Sequence, residues 1–210
     1  MEAHELVDVG FPARGTELPA DHGYLLFSAL CEALPRLSHE PGWALHPVRG
    51  KREGTRRIRL GPRSMVQLRL PAREVGEALS LTGRDLTVGS DRVHLGMARI
   101  RPLSPAPRLR SCAVTIPGCT GPSFERALRR ELATLPLLQD VSTIGITIGE
   151  QRTLRARVRT VVGFEVELSE LRTHASLCIQ AHGLGGRRHM GAGVFLPVSE
   201  PAEPAKPAEP

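Results

Sequence analysis

Between residues 183 and 195 the chain reads Gly183-Leu184-Gly185-Gly186-Arg187-Arg188-His189-Met190-Gly191-Ala192-Gly193-Val194-Phe195, with five glycines in eleven residues. Glycine lacks a Cβ, so such a run lets backbone N–H groups converge on an anion or lets a polynucleotide backbone approach closely, while Arg187 and Arg188 add charge. A dinucleotide loop needs a strand before it and a helix after it; here the order is reversed, which excludes a Rossmann or P-loop reading. A plain flexible connection is the competing account. Arg155, Arg157 and Arg159 recur at period two, a row that could track a phosphate backbone, with salt bridges to Glu165 and Glu167 as the rival explanation. Arg126, Arg129 and Arg130 fall on one helix face, where they could lie along a phosphate backbone. Lys51 and Arg52 follow His46 in a loop from which a cation could reach a phosphate; a solvated charge run is their bland reading.

These residues need elements to hold them. Residues 6–11 alternate, with Val7, Val9 and Phe11 on one side of a half-buried strand. Tyr24, Leu25, Phe27, Ala29, Leu30, Ala33 and Leu34 give an apolar face at helical spacing that ends at Pro35. Strand-like runs follow at 44–48, 57–60 and 66–70, then a helix at 72–79 and strands at 86–88 and 93–100. Pro102, Pro105 and Pro107 break the periodicity and read as a linker. The pattern then restarts with a strand at 109–116, a helix at 123–135 with Ser123 as its N-cap, and a strand at 144–148. An alternating stretch at 153–168, a helix at 169–181 and a last strand at 192–197 complete it. Each half spells strand, helix, two strands, helix, strand, so the expected fold is α+β, two tandem ferredoxin-like domains at 1–103 and 108–198. The tail at 199–210 is Pro/Ala/Glu low-complexity sequence and is expected to be disordered.

Composition narrows the function. With 210 residues, 40% hydrophobic and 24% charged, the chain can bury a core and has no apolar run of the roughly 20 residues that span a bilayer. Its first residues do not form a secretory signal, and the expected compartment is the cytoplasm. Basic residues outnumber acids 28 to 22, and only Lys51 and Lys206 are lysines. Guanidinium forks match phosphate oxygens in a bidentate way, so this excess suits phosphate recognition; codon bias in a GC-rich genome could explain the arginine preference but not the net charge of +6. Cys31, Cys112, Cys119 and Cys178 show no zinc spacing and read as reduced, mostly buried thiols. One Trp, one Tyr and five Phe give little support to a base-stacking platform.

The segment 183–195 resembles the C-terminal glycine-rich loop of the RAMP superfamily. Leu18-Pro19-Ala20-Asp21-His22-Gly23-Tyr24-Leu25-Leu26 resembles the start of the first helix in the CRISPR repeat-processing endoribonucleases of the Cas6 family, most closely their myxobacterial-type branch. The resemblance takes in Leu68-Arg69-Leu70-Pro71 and leaves out only the tail. It implies the same two-domain fold and metal-independent cleavage of CRISPR precursor RNA within its repeats. In that reaction the RNA's own 2′-hydroxyl attacks the adjacent phosphate, leaving a 2′,3′-cyclic phosphate and a 5′-hydroxyl. No cofactor and no metal are implied. The implied partners are the CRISPR repeat RNA, as a hairpin or 3′ handle, and other subunits of an effector complex, with no membrane.

Such a reaction needs a base, an acid and cations on the phosphorane, and histidine, with a pKa of about 6.5, suits the proton transfers. Of eight histidines, His39 resembles the position of the catalytic histidine in many members and ranks first. His22 is second, with a structural role at the helix start as its competing account. His46 is third, against an ordinary strand role. Gly183, Gly185, Gly186, Gly191 and Gly193 join Lys51 and the arginines named above as candidate RNA contacts, with the basic helix of Arg126, Arg129 and Arg130 placed to lie along an RNA stem, and Tyr24 does not sit clearly at the tyrosine position that some members use. A non-catalytic RAMP-type RNA-binding subunit would share all these features except an essential histidine.

Overall fold

The computed structural model describes residues 5–39, 42–119, 121–136, 138, 141–156 and 159–198. The tail at 199–210, Arg157 and the side chain of His39 lie outside that description.

The first half is built on β1 (Leu6–Arg14), whose Val9 and Phe11 are fully buried, as the alternation requires. It pairs antiparallel with β6 (Met65–Pro71), Val9 opposite Leu68 and Phe11 opposite Val66. The short β3 (Ala44–Leu45) lies beyond β6. On the other side of β1 lie β9 (Arg99–Pro102) along Val7–Gly10 and β8 (Asp91–Leu95) at Ala13 and Arg14. β7 (Asp85–Val88) extends this sheet from β8. One strand was expected over 93–100; the Gly96 N–H instead donates to Pro12 O and the chain turns between β8 and β9. A separate ribbon holds β2 (Glu17–Pro19), β5 (Arg57–Arg59) and β4 (Lys51–Glu53) in the order β2-β5-β4.

Helix α1 (Gly23–Ala33) buries Leu26, Ala29 and Leu30. It stops at Leu34, which leaves the helical region because Pro35 disfavours that region for the residue before it. The expected second helix is a 3₁₀ turn (Ala72–Glu74) followed by α2 (Val75–Leu79).

The second half contains β10 (Leu109–Val114), α3 (Pro122–Thr134), β11 (Gly145–Ala156), β12 (Arg159–Ser169), α4 (Thr173–His182) and β13 (Leu196–Pro197). Its sheet order is β11-β12-β10-β13, all antiparallel. Gly121, not Ser123, is the N-cap of α3, because Pro122 occupies the first helical position, where its missing N–H costs nothing. The stretch at 153–168 is not one strand but parts of β11 and β12, which pair from Gly145↔Ser169 to Ala156↔Arg159. Only Leu196 and Pro197 of the last expected strand pair, since residues 183–195 are shaped by turns.

Each half buries its own apolar cluster, Phe11, Leu26, Leu30 and Leu68 in one, Phe124, Leu128, Val166 and Phe195 in the other. At about 1.5–3 kcal/mol for each large side chain buried, these clusters hold the halves individually. The connection at 103–108 has no regular structure but is pinned to α4: Ser176 Oγ accepts from Ala106 N–H at 2.9 Å, and Gln180 Nε2 donates to Ser104 O at 2.8 Å. The result is a mixed α/β fold. Of the cysteines only Cys178 is buried; Cys112 is exposed on β10, contrary to the expectation of mostly buried thiols.

Candidate nucleic-acid interface

The glycine run leaves α4 at Gly183 and folds back on itself. Leu184 N–H donates to Gly193 O at 3.2 Å, Gly193 N–H to Ala113 O at 2.7 Å, and Gly186 N–H to Thr115 O at 3.0 Å. Met190, Gly191 and Ala192 N–H groups bond within the run to Arg187 and Arg188 carbonyls. Gly183, Gly185, Gly191 and Gly193 all have positive φ, and a Cβ on Gly185 would strike Thr115 O, so no other residue type fits there. The glycines thus serve a tight fold against β10 and spend many of the N–H groups that could have met an anion. What the run offers outward is exposed Gly186, exposed His189 and half-buried Arg187, itself left-handed at φ 66°.

The far side of the run meets the first half. Met190 O lies against Gly23 at the start of α1, Gly191 against Pro47, and the His189 ring sits 4.7 Å from that of Phe27. The run therefore lies between the halves.

Arg188, assigned to RNA from the sequence, turns inward. Its Nη2 donates to Ala181 O at 2.8 Å in the last turn of α4, where cations complement the helix dipole. Burial and then the nearby Arg69 charge push its pKa down to about 10.

Of the histidines, His39 ends a 3₁₀ turn (Pro35–His39) that follows α1. His22 is buried, its Nδ1 donating to Pro19 O at 2.9 Å and its Nε2 accepting from Val48 N–H at 3.0 Å. Both nitrogens are thus spent on backbone, the structural role left open for it, and burial lowers its pKa. His46 is also buried, with Nε2 3.2 Å from Asp8 Oδ1 and neither ring nitrogen in a well-aligned hydrogen bond. Burial lowers its pKa, against the pull of the Asp8 carboxylate. Asp8 is held well below the usual carboxylate range: burial opposes its charge, but His46 and Arg69 together outweigh burial.

His189, Arg69 and Asp8 were not among the sequence candidates. His189 carried a signal, a lone imidazole beside two arginines in a glycine run. Burial and the Arg187 charge lower its pKa. Asp8 and Arg69 carried a weaker one, opposite charges inside two apolar strands that become register partners.

The other cations lie on β4, α3, β11 and β12. Lys51 and Arg52 are exposed in β4, not in a loop, because they pair with Arg59 and Ile58 of β5. Arg126, Arg129 and Arg130 are exposed on α3, with Arg129 paired to Glu125 at 3.0 Å. Arg155 and Arg159 do not share one strand, since the hairpin puts them on β11 and β12. Glu165 pairs instead with Arg110 and Arg152, and Glu167 with Arg108. The Arg155 N–H donates to Asp21 Oδ2 at 2.7 Å, tying the edge of β11 to the start of α1. Asp21, Tyr24, Arg56, Thr153 and Arg155 are among the residues lining a cleft of about 660 Å³ there.

A family model described as Cas6 Crispr matches residues 7–200. The CRISPR-associated endonuclease Cas6 of Myxococcus xanthus is 36% identical over 200 residues, which is 93% of this chain and 83% of that protein. Among solved structures, a Cas6-related protein from Pyrococcus furiosus superposes with a TM-score of 0.66 at 11% identity, over 93% of this chain and all of that one. A CRISPR-associated protein Cas6 gives 0.62 at 13% identity, over 92% of this chain and 99% of its own. A family match over nearly the whole length, with a relative this similar, makes the chain a member of the Cas6 family.

Proposed function

We propose that this protein is an endoribonuclease that cuts CRISPR precursor RNA within its repeats, without a metal or other cofactor, by attack of the RNA's 2′-hydroxyl on the adjacent phosphate. The products would carry a 2′,3′-cyclic phosphate and a 5′-hydroxyl. One observation carries this reading: the start of α1 and the glycine run, the two segments with the family's sequence character, pack against each other at Gly23 and Met190. The M. xanthus relative, named as a CRISPR-associated endonuclease, supports it.

In this reading His39 transfers the proton. His22 and His46, buried against backbone and Asp8, hold the fold. Arg187 and the exposed Arg126, Arg129, Arg130, Arg155, Arg159, Lys51 and Arg52 meet phosphates of the repeat. The fold is read as two tandem ferredoxin-like units, 1–103 and 108–198. Supporting this, the strands of the basic unit run β3-β6-β1-β9 in the first half and β11-β12-β10-β13 in the second, the same order twice. After cleavage the protein stays on the 3′ handle as a subunit of an effector complex.

The test is incubation with end-labelled repeat RNA in EDTA, beside the same RNA with a 2′-deoxy substitution at the cut site. Cleavage of the unmodified strand alone is expected. Tight binding with neither strand cut would overturn the enzyme reading in favour of a non-catalytic RNA-binding subunit.

A further inference from the structure

Arg69 is a polar group that joins the two halves beneath the glycine run. Its side chain is fully buried. Nε and Nη2 grip the Asp8 carboxylate at 2.8 and 3.0 Å across the β1–β6 pair, a two-pronged contact that matches the planar guanidinium. Nη1 turns to the other half and donates to Gln180 O at 2.7 Å and Phe195 O at 3.1 Å. Gln180 lies in the last turn of α4 and Phe195 closes the glycine run, so one guanidinium holds the chain just before the run and at its end. Enclosed in this way, Arg69 has no path to a phosphate.

We propose that Arg69 is a positioning residue for RNA recognition: by clamping both ends of residues 183–195 to β1 and β6, it fixes the seat of the glycine run on α1. The RNA part of this assignment rests on the function proposed above; the clamp itself does not. Asp8 balances the charge, since a guanidinium buried without a counter-ion is strongly destabilising. Lysine cannot replace Arg69, because an ammonium is a point charge without a fork that reaches a carboxylate and two carbonyls in different directions.

The test uses the full chain as Arg69→Lys, Arg69→Met and Asp8→Asn variants. Amide exchange is followed in residues 183–195 and in the β11–β12 hairpin, and the affinity of the folded fraction for repeat RNA is measured well below the unfolding midpoint. Exchange at 183–195 is expected to quicken about tenfold or more while β11–β12 keeps its protection. The dissociation constant of the folded fraction should rise by about tenfold, and Arg69→Lys should not restore it. Equal loss of protection in both halves, with the affinity of the folded fraction unchanged, would reduce Arg69 to a stabilising residue and overturn the proposal. Should the unmodified protein fail to bind repeat RNA, the functional reading falls, and the exchange pattern still decides whether Arg69 clamps the run. Arg69→Lys keeps a cation opposite the Asp8 carboxylate and leaves no buried charge without a counter-ion, so it keeps the test open if Arg69→Met does not fold.

Discussion

The carbonyl of Met190 closes over the α-carbon of Gly23, the first residue of α1, and leaves no room for a Cβ. The contact is backbone on backbone, so no rotamer change can relieve a larger residue there. Gly23→Ala should therefore push the glycine run off α1, at the about 1–3 kcal/mol typical of overpacking. Urea unfolding measures that loss, and repeat-RNA titration should show weaker binding. Gly76→Ala, in α2 with open space around the added methyl, is the control and should be neutral or slightly stabilising.

His39→Ala should lower the cleavage rate by about 10²- to 10⁴-fold and leave RNA affinity within a few-fold, because a general acid or base acts on the transition state more than on binding. Single-turnover rates and filter binding separate the two. Unchanged cleavage would remove His39 from the chemistry and direct attention to His189, the exposed imidazole of the glycine run.

Stability should fall as pH drops below neutrality. His22 and His46 are held neutral in the fold, with pKa values below the ordinary 6.5. The unfolded chain then binds more protons than the folded one, so stability is fully present above the unfolded pKa and declines as pH falls through 6.5 towards the lowered values. Asp8 adds a loss of the same sign only below its ordinary 3.8. Urea midpoints measured from pH 8 to pH 5 should decrease; a flat profile would mean that one or both rings are charged in the folded state.

Arginine variants should divide by burial. Arg126→Ala with Arg130→Ala should flatten the salt dependence of RNA binding by about 0.7–0.9 for each phosphate that the protein no longer neutralises. Arg188→Ala should instead cost about 1–2 kcal/mol of stability, since it leaves the Ala181 carbonyl short of its donor in a half-buried place. Salt titrations and urea unfolding of both variants check the division, and a flattened slope for Arg188→Ala with unchanged stability would reverse it.

Much of the architecture was legible because period carries it. The alternation of β1, the apolar face of α1 and the new strand starting at Leu109 all survive in the structure, shifted by a few residues. The errors fall where pairing, not period, decides. Residues 153–168 alternate smoothly, yet they divide between β11 and β12, which pair antiparallel. That pairing also breaks the apparent row of Arg155 and Arg159.

For the site, residue type and spacing by themselves determined that the chain is basic, that residues 183–195 are special, and that histidines are available for proton transfer. Only the tertiary structure decided which groups face inward. Arg188 and Arg187 are neighbours of the same type, yet one donates into α4 and the other stands half-open. Asp8 and Arg69 lie 61 positions apart and meet only through strand register. The physical reason is that burial and hydrogen-bond partners come from residues distant in sequence, and these set whether a charged side chain holds the fold together or is left to meet a ligand.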